Sequence, residues 1–275
     1  MKIDFTKMNG AGNDFVVIDC MREPARLDAS RIALLCDRKH GVGADGVLLL
    51  EPDEEYDFRM RYFNRDGGEA EMCGNGARCL ARYFAIRESG VAPAAEETVR
   101  FMTAAGAMQA RIAGNRVALK MPDASRLTLN ISLQVENREQ IVHFIDTGVP
   151  HAVVHHADAD ALEDEFVDTV GRALRLHPRF QPDGCNVNFA STGPNGVIQI
   201  RTYERGVEQE TLACGTGSVA TAIVFAHLGL TAPPARLFTR GGDELRVSFE
   251  LHPDGARNVV LDGPAEINFR GTISI

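Results

Sequence analysis

Short segments rich in β-branched and aromatic residues recur along the chain, with polar residues interleaved. Strands of folded proteins have this composition, and Gly, Pro, Asn or Asp bounds each segment here. The pattern predicts nine strands, at residues 15–19, 46–50, 57–64, 98–103, 117–121, 152–154, 197–203, 244–250 and 259–262.

Four longer segments carry apolar residues every three or four positions, which is the spacing of one helix face. Residues 75–88 place Ala77, Leu80 and Phe84 together, whereas residues 218–228 are apolar nearly all round, as expected of a buried helix. Residues 30–39 and 161–176 complete the set. We therefore predict a mixed α/β protein that contains more strand than helix.

An offset of 141 residues relates the two halves of the chain. It aligns Cys73 with Cys214, and each cysteine lies between a predicted strand and a predicted helix. The other identical pairs at this offset are Tyr62 and Tyr203, Glu69 and Glu210, Gly74 and Gly215, and Gly76 and Gly217. We interpret the chain as two copies of one α/β unit that meet near residue 120. The alternative is two unrelated glycine-rich helix starts.

Length and charge narrow the possible partners. A chain of 275 residues exceeds the usual size of a single domain, which favours two domains. The formal charge of −9 argues against nucleic acid, whose phosphates require clustered Lys and Arg. No segment approaches the roughly 20 apolar residues of a membrane span, and Asp4 lies where a signal peptide would be apolar. We expect a cytoplasmic protein that binds neither nucleic acid nor membrane.

The chain has six cysteines, which a reducing compartment would keep as thiols. Their spacing is irregular and contains no CxxC pair, so no metal site is predicted. Small apolar core positions suit four of them, namely Cys20, Cys36, Cys79 and Cys185. Cys73 and Cys214 differ because they stand in glycine-rich helix starts.

A cysteine at a helix N-terminus meets unpaired backbone N–H groups and the positive end of the helix dipole. This environment stabilises a thiolate, and the same N–H groups can hold a carboxylate. Two such helices could clamp one carboxylate with a thiol on either side of the neighbouring carbon. That chemistry suits removal of a proton from one face of the carbon and its return on the other.

Other apparent motifs carry less weight. Residues 41–46 read GxGxxG, but they follow a predicted helix and precede a predicted strand, the reverse of a dinucleotide site. We predict a turn there. Asn130 begins a glycosylation sequon that is irrelevant in cytoplasm, and His155 with His156 lacks the spacing of helical metal ligands.

The two cysteine motifs resemble those of the diaminopimelate epimerases. They read Glu71-Met-Cys-Gly-Asn-Gly-Ala-Arg-Cys79 and Glu210-Thr-Leu-Ala-Cys-Gly-Thr-Gly-Ser218. The resemblance extends over essentially the whole chain and includes residues 7–15, 41–46, 63–67 and 203–206. Proline and histidine racemases of the same superfamily carry related cysteine motifs. The cysteine motifs together with the other matching segments therefore identify the family more specifically than either motif alone.

The resemblance implies an epimerase that interconverts LL- and meso-diaminopimelate, for lysine and peptidoglycan synthesis, without pyridoxal phosphate or any other cofactor. It implies two pseudo-symmetric α/β domains, each a mostly antiparallel or mixed sheet wrapped around a central helix, with the substrate in the cleft. The domains would comprise residues 1–120, joined by a returning strand at 265–275, and residues 121–264. It also implies a homodimer.

The resemblance further implies site residues, with Cys73 and Cys214 as the acid/base pair. The reacting α-carboxylate would be held at the two helix starts by Gly74, Asn75, Gly215 and Thr216. The far amino-acid end of the substrate would be recognised by Asn13, Asn64, Asn186 and Arg205, with Glu204 binding an ammonium group. A guanidinium with several amides is the set that a distal carboxylate and amine require.

The chain departs from the family pattern at two positions. Many members have asparagine where this chain has Val149, which removes one substrate-contacting amide and leaves His151 as possible support for the site. Some members have glutamine where this chain has Gly46.

Two other functions remain open. One is a racemase of histidine or proline that works by the same two thiols. The other is a redox switch without catalysis, in which Cys73 and Cys214 form a reversible disulfide.

Overall fold

The structure is a computed structural model that describes residues 2–91, 93 and 95–275. The chain divides into two compact units, one made of Met1–Leu119 with Gly263–Ile275 and the other of Lys120–Asp262. Over the described residues, the strands in chain order are β1 (Lys2–Gly10), β2 (Asn13–Asp19), β3 (Gly46–Glu51), β4 (Phe58–Asn64), β5 (Glu69–Ala70), β6 (Glu97–Thr103), β7 (Gly106–Ala113), β8 (Arg116–Lys120), β9 (Ser125–Val135), β10 (Arg138–Asp146), β11 (Pro150–His155), β12 (Asn186–Thr192), β13 (Ile198–Glu204), β14 (Gln209–Thr211), β15 (Ala235–Phe238), β16 (Glu244–His252), β17 (Gly255–Pro264) and β18 (Glu266–Ser274). The helices are α1 (Ala29–Cys36), α2 (Gly74–Ile86), α3 (Asp164–Arg175) and α4 (Gly215–His227), with short 3-10 turns at Pro178–Phe180 and Pro194–Gly196.

The first unit is a mixed sheet in the order β18-β1-β2-β3-β4-β6-β7-β8. Only β2 with β3 and β4 with β6 run parallel, and α1 provides the crossover between β2 and β3. The short strand β5 pairs with the end of β4. Helix α2 packs against β1, β2, β3, β4, β6 and β7, and its Ala77, Leu80 and Ala81 are fully buried.

The second unit repeats this arrangement in the order β9-β10-β11-β12-β13-β15-β16-β17. Its parallel pairs are β11 with β12 and β13 with β15, and α3 provides the crossover between β11 and β12. Here α4 takes the place of α2 and packs against β10 to β13, β15 and β16. The prediction of a mixed α/β fold built from two copies of one unit is confirmed.

The helix ends differ from the prediction by a few residues. Helix α1 ends at Cys36 because the carboxylate of the next residue, Asp37, accepts hydrogen bonds from the backbone N–H groups of Lys39 and His40. Helix α3 begins only at Asp164, since the Asp158 carboxylate organises a turn through the N–H groups of residues 160 and 161. Such side-chain acceptors compete with helical hydrogen bonds.

The prediction missed several strands, and it missed β12 in the segment that matters most for the site. Residues 186–192 read Asn-Val-Asn-Phe-Ala-Ser-Thr, and the two asparagines argue against a strand on propensity alone. All but Thr192 are buried, because β12 lies between β11 and β13 at the centre of its sheet. Tertiary position therefore outweighs local preference here.

Among the described residues, no helix has both the length and the apolar character needed to cross a membrane.

Candidate active site

Cys73 and Cys214 occupy equivalent positions in the two units, each as the residue that caps the N-terminus of the central helix. Their backbone angles are nearly the same, at φ −136° and ψ 121° for Cys73 and φ −120° and ψ 112° for Cys214. The Cys73 carbonyl accepts from Ala77 N at 2.8 Å, and the Cys214 carbonyl from Ser218 N at 2.9 Å. In both units the N–H groups of the next residues therefore belong to the first helical turn, where a helix has unpaired donors.

The Cys73 thiol lies beside two asparagines of the same unit. Its sulfur donates to Asn13 Oδ1 at 3.6 Å, and Asn75 Nδ2 donates to the same oxygen at 3.4 Å. Asn13 Nδ2 in turn donates to Asp45 Oδ2 at 2.7 Å. The structure thus brings Cys73, Asn13 and Asn75 together, and it adds Asp45, which no pattern in the sequence indicates.

A cluster of charges holds the segments that carry Asn13 and Asp45. Asp14 pairs with Lys7 at 2.7 Å and with Arg38 at 2.8 Å, and Arg38 also reaches Asp45 Oδ1 at 2.9 Å. Partial burial opposes ionisation of Asp14, but hydrogen bonds and charges from Arg38 and Lys7 outweigh it and lower its pKa to about 2. Residues 41–46, which are predicted as a turn, contain Asp45 and lead into β3.

Cys214 has a different set of polar neighbours. Its sulfur lies 3.5 Å from the Thr216 hydroxyl, and the Ser218 hydroxyl donates to its backbone carbonyl at 3.0 Å. Cys214 is 8% exposed, whereas Cys73 is half-buried. Thr216 was predicted to hold the α-carboxylate and lies at the start of the helix as that role requires.

His151 is fully buried in β11 and is held by Asn188 of the neighbouring strand. The Asn188 amide nitrogen lies 3.1 Å from His151 Nδ1 and 3.0 Å from the carbonyl of Ala152, while its oxygen accepts from the Thr202 hydroxyl at 2.9 Å. A carbonyl can only accept, so the amide must donate to Nδ1, which leaves the ring proton on Nε2. Nε2 has no hydrogen-bond partner among the described residues. Burial, assisted by the Arg205 cation, lowers the pKa of His151 to about 3, so the ring is neutral near pH 7.

Asn186, Glu204 and Arg205 lie close together at the ends of β12 and β13. Asn186 Oδ1 accepts from the backbone N–H of Arg205 at 2.9 Å, and the Arg205 guanidinium donates to the Asp183 carbonyl at 3.0 Å. Glu204 accepts from the Thr211 hydroxyl at 2.8 Å. In the first unit, Asn64 ends β4 with an exposed side chain. Their predicted roles in substrate recognition remain predictions.

The other four cysteines are buried core residues. Burial raises the pKa of Cys36 to about 11 and the pKa values of Cys79 and Cys185 to about 12, and it also raises that of Cys20. A thiol needs its thiolate form to act as a base or nucleophile. These four are therefore unsuited to acid/base chemistry near pH 7.

The structure explains the glycine at residue 46 but not the valine at residue 149. A Cβ at Gly46 would lie 2.5 Å from the Phe63 carbonyl oxygen and 2.6 Å from the Tyr62 ring, so this chain has no room for a glutamine there. The backbone carbonyl of Val149 accepts from Thr147 N at 3.1 Å within the turn before β11.

Comparison with known proteins identifies the family. The diaminopimelate epimerase family model matches residues 5–127 and 143–267. A diaminopimelate epimerase from Hydrogenobaculum sp. (strain Y04AAS1) is 40% identical, over 98% of this chain and 98% of its own. A diaminopimelate epimerase from Aquifex aeolicus is also 40% identical, over 99% of this chain and 98% of its own.

Solved structures show the same fold at much lower identity. A hydroxyproline epimerase from Agrobacterium vitis has a TM-score of 0.73 and 17% identity, covering 99% of this chain and 91% of its own. A Bacillus anthracis protein of the phenazine biosynthesis PhzF family has a TM-score of 0.73 and 15% identity, with complete coverage of both chains. These likenesses concern the fold alone. The match along nearly the full length, together with the two capping cysteines, shows that this chain belongs to the diaminopimelate epimerase family.

Proposed function

We propose that the protein interconverts LL- and meso-diaminopimelate by moving one α-proton between Cys73 and Cys214, without a cofactor. The observation that carries this proposal is the equivalent placement of the two cysteines. Each caps the central helix of its unit with nearly the same backbone angles, in a chain 40% identical over its length to diaminopimelate epimerases.

The mechanism requires one sulfur as thiolate and the other as thiol. The thiolate takes the α-proton, so the C–H bond breaks as an S–H bond forms. The other thiol gives its proton to the opposite face of the same carbon, which inverts it and exchanges the roles of the two sulfurs. Because two titrating thiols acting on one carbon are coupled, their pKa values belong to the pair.

The helix starts supply the electrostatic part of catalysis. Backbone N–H groups at Gly74, Asn75, Gly215 and Thr216 are suited to bind the α-carboxylate, whose negative charge grows as the proton leaves. Removal of one such preorganised donor typically lowers turnover by about 100-fold to 1000-fold. The substrate's far end is assigned to Asn13, Asn64, Asn186, Glu204 and Arg205, since a guanidinium binds carboxylates in a defined geometry.

The test is proton NMR of the purified protein with LL-diaminopimelate in D₂O, with histidine and proline as parallel substrates. We expect the α-proton signal of diaminopimelate to disappear and the meso isomer to form. Exchange of histidine or proline instead would keep the two-thiol chemistry and refute the substrate. Absence of exchange with all three, from protein shown to have free thiols, would refute the function.

Substitution of the cysteines tests the mechanism separately. Cys73→Ala and Cys214→Ala should each abolish epimerisation, because each removes one of the two proton carriers. Cys79→Ala is the matched control, since Cys79 lies on the same helix as the Cys73 motif and is fully buried. Near-normal turnover in either of the first two variants would contradict the two-thiol mechanism.

We also propose that the protein acts in the cytoplasm as a homodimer. The mechanism needs free thiols, which a reducing compartment maintains. The dimer rests on the family resemblance, and analytical ultracentrifugation at several concentrations tests it.

A further inference from the structure

A chain of hydrogen bonds passes beside the Cys73 sulfur and ends in a charged side chain on each side. It begins at the Asp45 carboxylate, which accepts from Asn13 Nδ2 at 2.7 Å. Asn13 Oδ1 accepts from Asn75 Nδ2 at 3.4 Å, and Asn75 Oδ1 accepts from Arg78 Nη2 at 2.8 Å. The Cys73 sulfur donates to the Asn13 oxygen at the middle of this chain, at 3.6 Å.

The two charged ends determine which way both amides point. A carboxylate can only accept, so Asn13 must turn its NH₂ group to Asp45. A guanidinium can only donate, so Asn75 must turn its oxygen to Arg78 and its NH₂ group to Asn13. Both constraints independently direct the Asn13 oxygen towards the sulfur. Neither amide can flip without placing two donors or two acceptors face to face.

This orientation favours the protonated form of Cys73. An amide oxygen accepts a hydrogen bond from S–H but repels the negative charge of a thiolate, and a hydrogen bond to the neutral form disfavours ionisation. Cys214 faces the Thr216 hydroxyl at 3.5 Å instead, and a hydroxyl can donate to a thiolate. The helix start favours ionisation of both sulfurs, and the Asn13 oxygen opposes it at Cys73.

Several charges of the first unit near Cys73 occur as pairs. Lys7 and Arg38 flank Asp14, and Arg61 forms a bidentate pair with Glu69 on β4 and β5. Charged groups on the elements around Cys73 include Lys7, Asp14, Arg38, Asp45, Arg61, Glu69, Glu71, Arg78 and Arg82.

We propose that Asp45 is a positioning residue that holds the Asn13 oxygen against Cys73, so that in the free protein Cys73 is the thiol and Cys214 the thiolate. The inference deepens the proposed function and rests on it for its catalytic meaning. The resting enzyme is then ready for the stereoisomer whose α-hydrogen meets Cys214.

The test measures the two thiols directly in the free protein, without substrate. Iodoacetamide is applied for short times between pH 5 and pH 10, and mass spectrometry of peptides gives the alkylation rate of each cysteine. We expect the pH midpoint of Cys214 to lie below that of Cys73. Differences in access alone would make Cys73 react faster at every pH, because Cys73 is the more exposed of the two.

The variant Asp45→Asn tests the positioning role. An amide at residue 45 can accept or donate, so only the longer contact of 3.4 Å with Asn75 then holds the Asn13 oxygen towards the sulfur. This weaker restraint lets Asn13 turn its NH₂ group to the sulfur in part of the molecules. We expect the Cys73 midpoint to fall by up to about one pH unit, the shift that one hydrogen bond produces, while the Cys214 midpoint stays unchanged. Asp4→Asn, an exposed carboxylate on β1 that binds only Thr272 among the described residues, is the matched control and should change neither midpoint.

Asn13→Ala provides a second variant if Asp45→Asn folds poorly, since it removes the accepting oxygen and keeps Asp45. It should also lower the Cys73 midpoint. A Cys73 midpoint at or below that of Cys214 in the wild type, or an unchanged Cys73 midpoint in both variants, would overturn the proposal. Ordered midpoints with no α-proton exchange would refute the proposed function alone.

Discussion

The substitution Gly74→Ala tests whether glycine at this position is needed to bind the substrate or to pack the protein. Gly74 is the first residue of α2, and a Cβ placed on it has no neighbour within 4 Å among the described residues. The protein itself therefore has room for a methyl group at this position. If the α-carboxylate binds to the N–H groups of this helix start, the same space belongs to the substrate.

The expected effects on stability and on catalysis have opposite signs. Alanine favours helix over glycine by up to about 1 kcal/mol, so Gly74→Ala should fold at least as stably as the wild type. A methyl group in the carboxylate position would shift the substrate by about 1 Å, and such a displacement costs roughly 100-fold in rate. Urea denaturation and the epimerisation assay measure the two effects.

Two other glycines serve as controls. A Cβ at Gly217 would lie 2.3 Å from Asn188 Oδ1, so Gly217→Ala should destabilise the fold by about 1–3 kcal/mol through overpacking. A Cβ at Gly76 would meet the flexible ends of Leu48 at 3.0 Å and Met60 at 3.5 Å, so Gly76→Ala should change both stability and activity little. A stable Gly74→Ala variant with unchanged kcat/KM would refute carboxylate binding at this helix start.

Two further predictions concern stability. In the unfolded chain His151 becomes protonated below about pH 6.5, whereas in the folded protein it becomes protonated only near pH 3. The free energy of unfolding should therefore fall as the pH decreases through this window. His151→Gln should reduce the slope of the free energy of unfolding against pH by about 1.4 kcal/mol per pH unit, and an unchanged slope in urea titrations would contradict the assignment. Arg201 is wholly buried and bonds to Glu210 through two nitrogens, at 2.7 and 2.6 Å. Arg201→Met should therefore lower the free energy of unfolding by about 3 kcal/mol, because it leaves the Glu210 carboxylate without its partner. Arg201→Lys should lower it by less, because it keeps the charge. Equal losses in the two variants would contradict the importance of the paired geometry.

The fold class could be predicted from the sequence because the central helix of each unit has a clear pattern of apolar residues. Residues 75–88 and 218–228 have long apolar faces, and the structure places both helices at the centres of their units. The prediction started the second helix three residues late because Gly215, Thr216 and Gly217 have poor helix propensity. The capping position of Cys214 outweighs that preference.

The orientation of side chains in the site could not be predicted from the sequence. Asn13 was assigned from the resemblance to the far end of the substrate, yet its oxygen lies beside Cys73 in the free protein. The reason is Asp45, which lies within the loop at residues 41–46 and whose contact with Asn13 spans 32 positions of sequence. The same holds for Asn188, whose hydrogen bonds to His151 and Thr202 connect three strands. No local pattern encodes such contacts.

If the proposed two-thiol mechanism is correct, the duplicated fold and the unequal side chains serve two requirements of a reversible reaction. A thiolate and a thiol that exchange roles need similar proton affinities, because a large difference would make one direction slow. Equivalent capping positions give both sulfurs the same helix dipole and the same backbone donors. The immediate neighbours differ, with the Asn13 oxygen at Cys73 and the Thr216 hydroxyl at Cys214. A single hydrogen bond shifts a thiol by about one pH unit, which sets the resting state without blocking the reverse reaction.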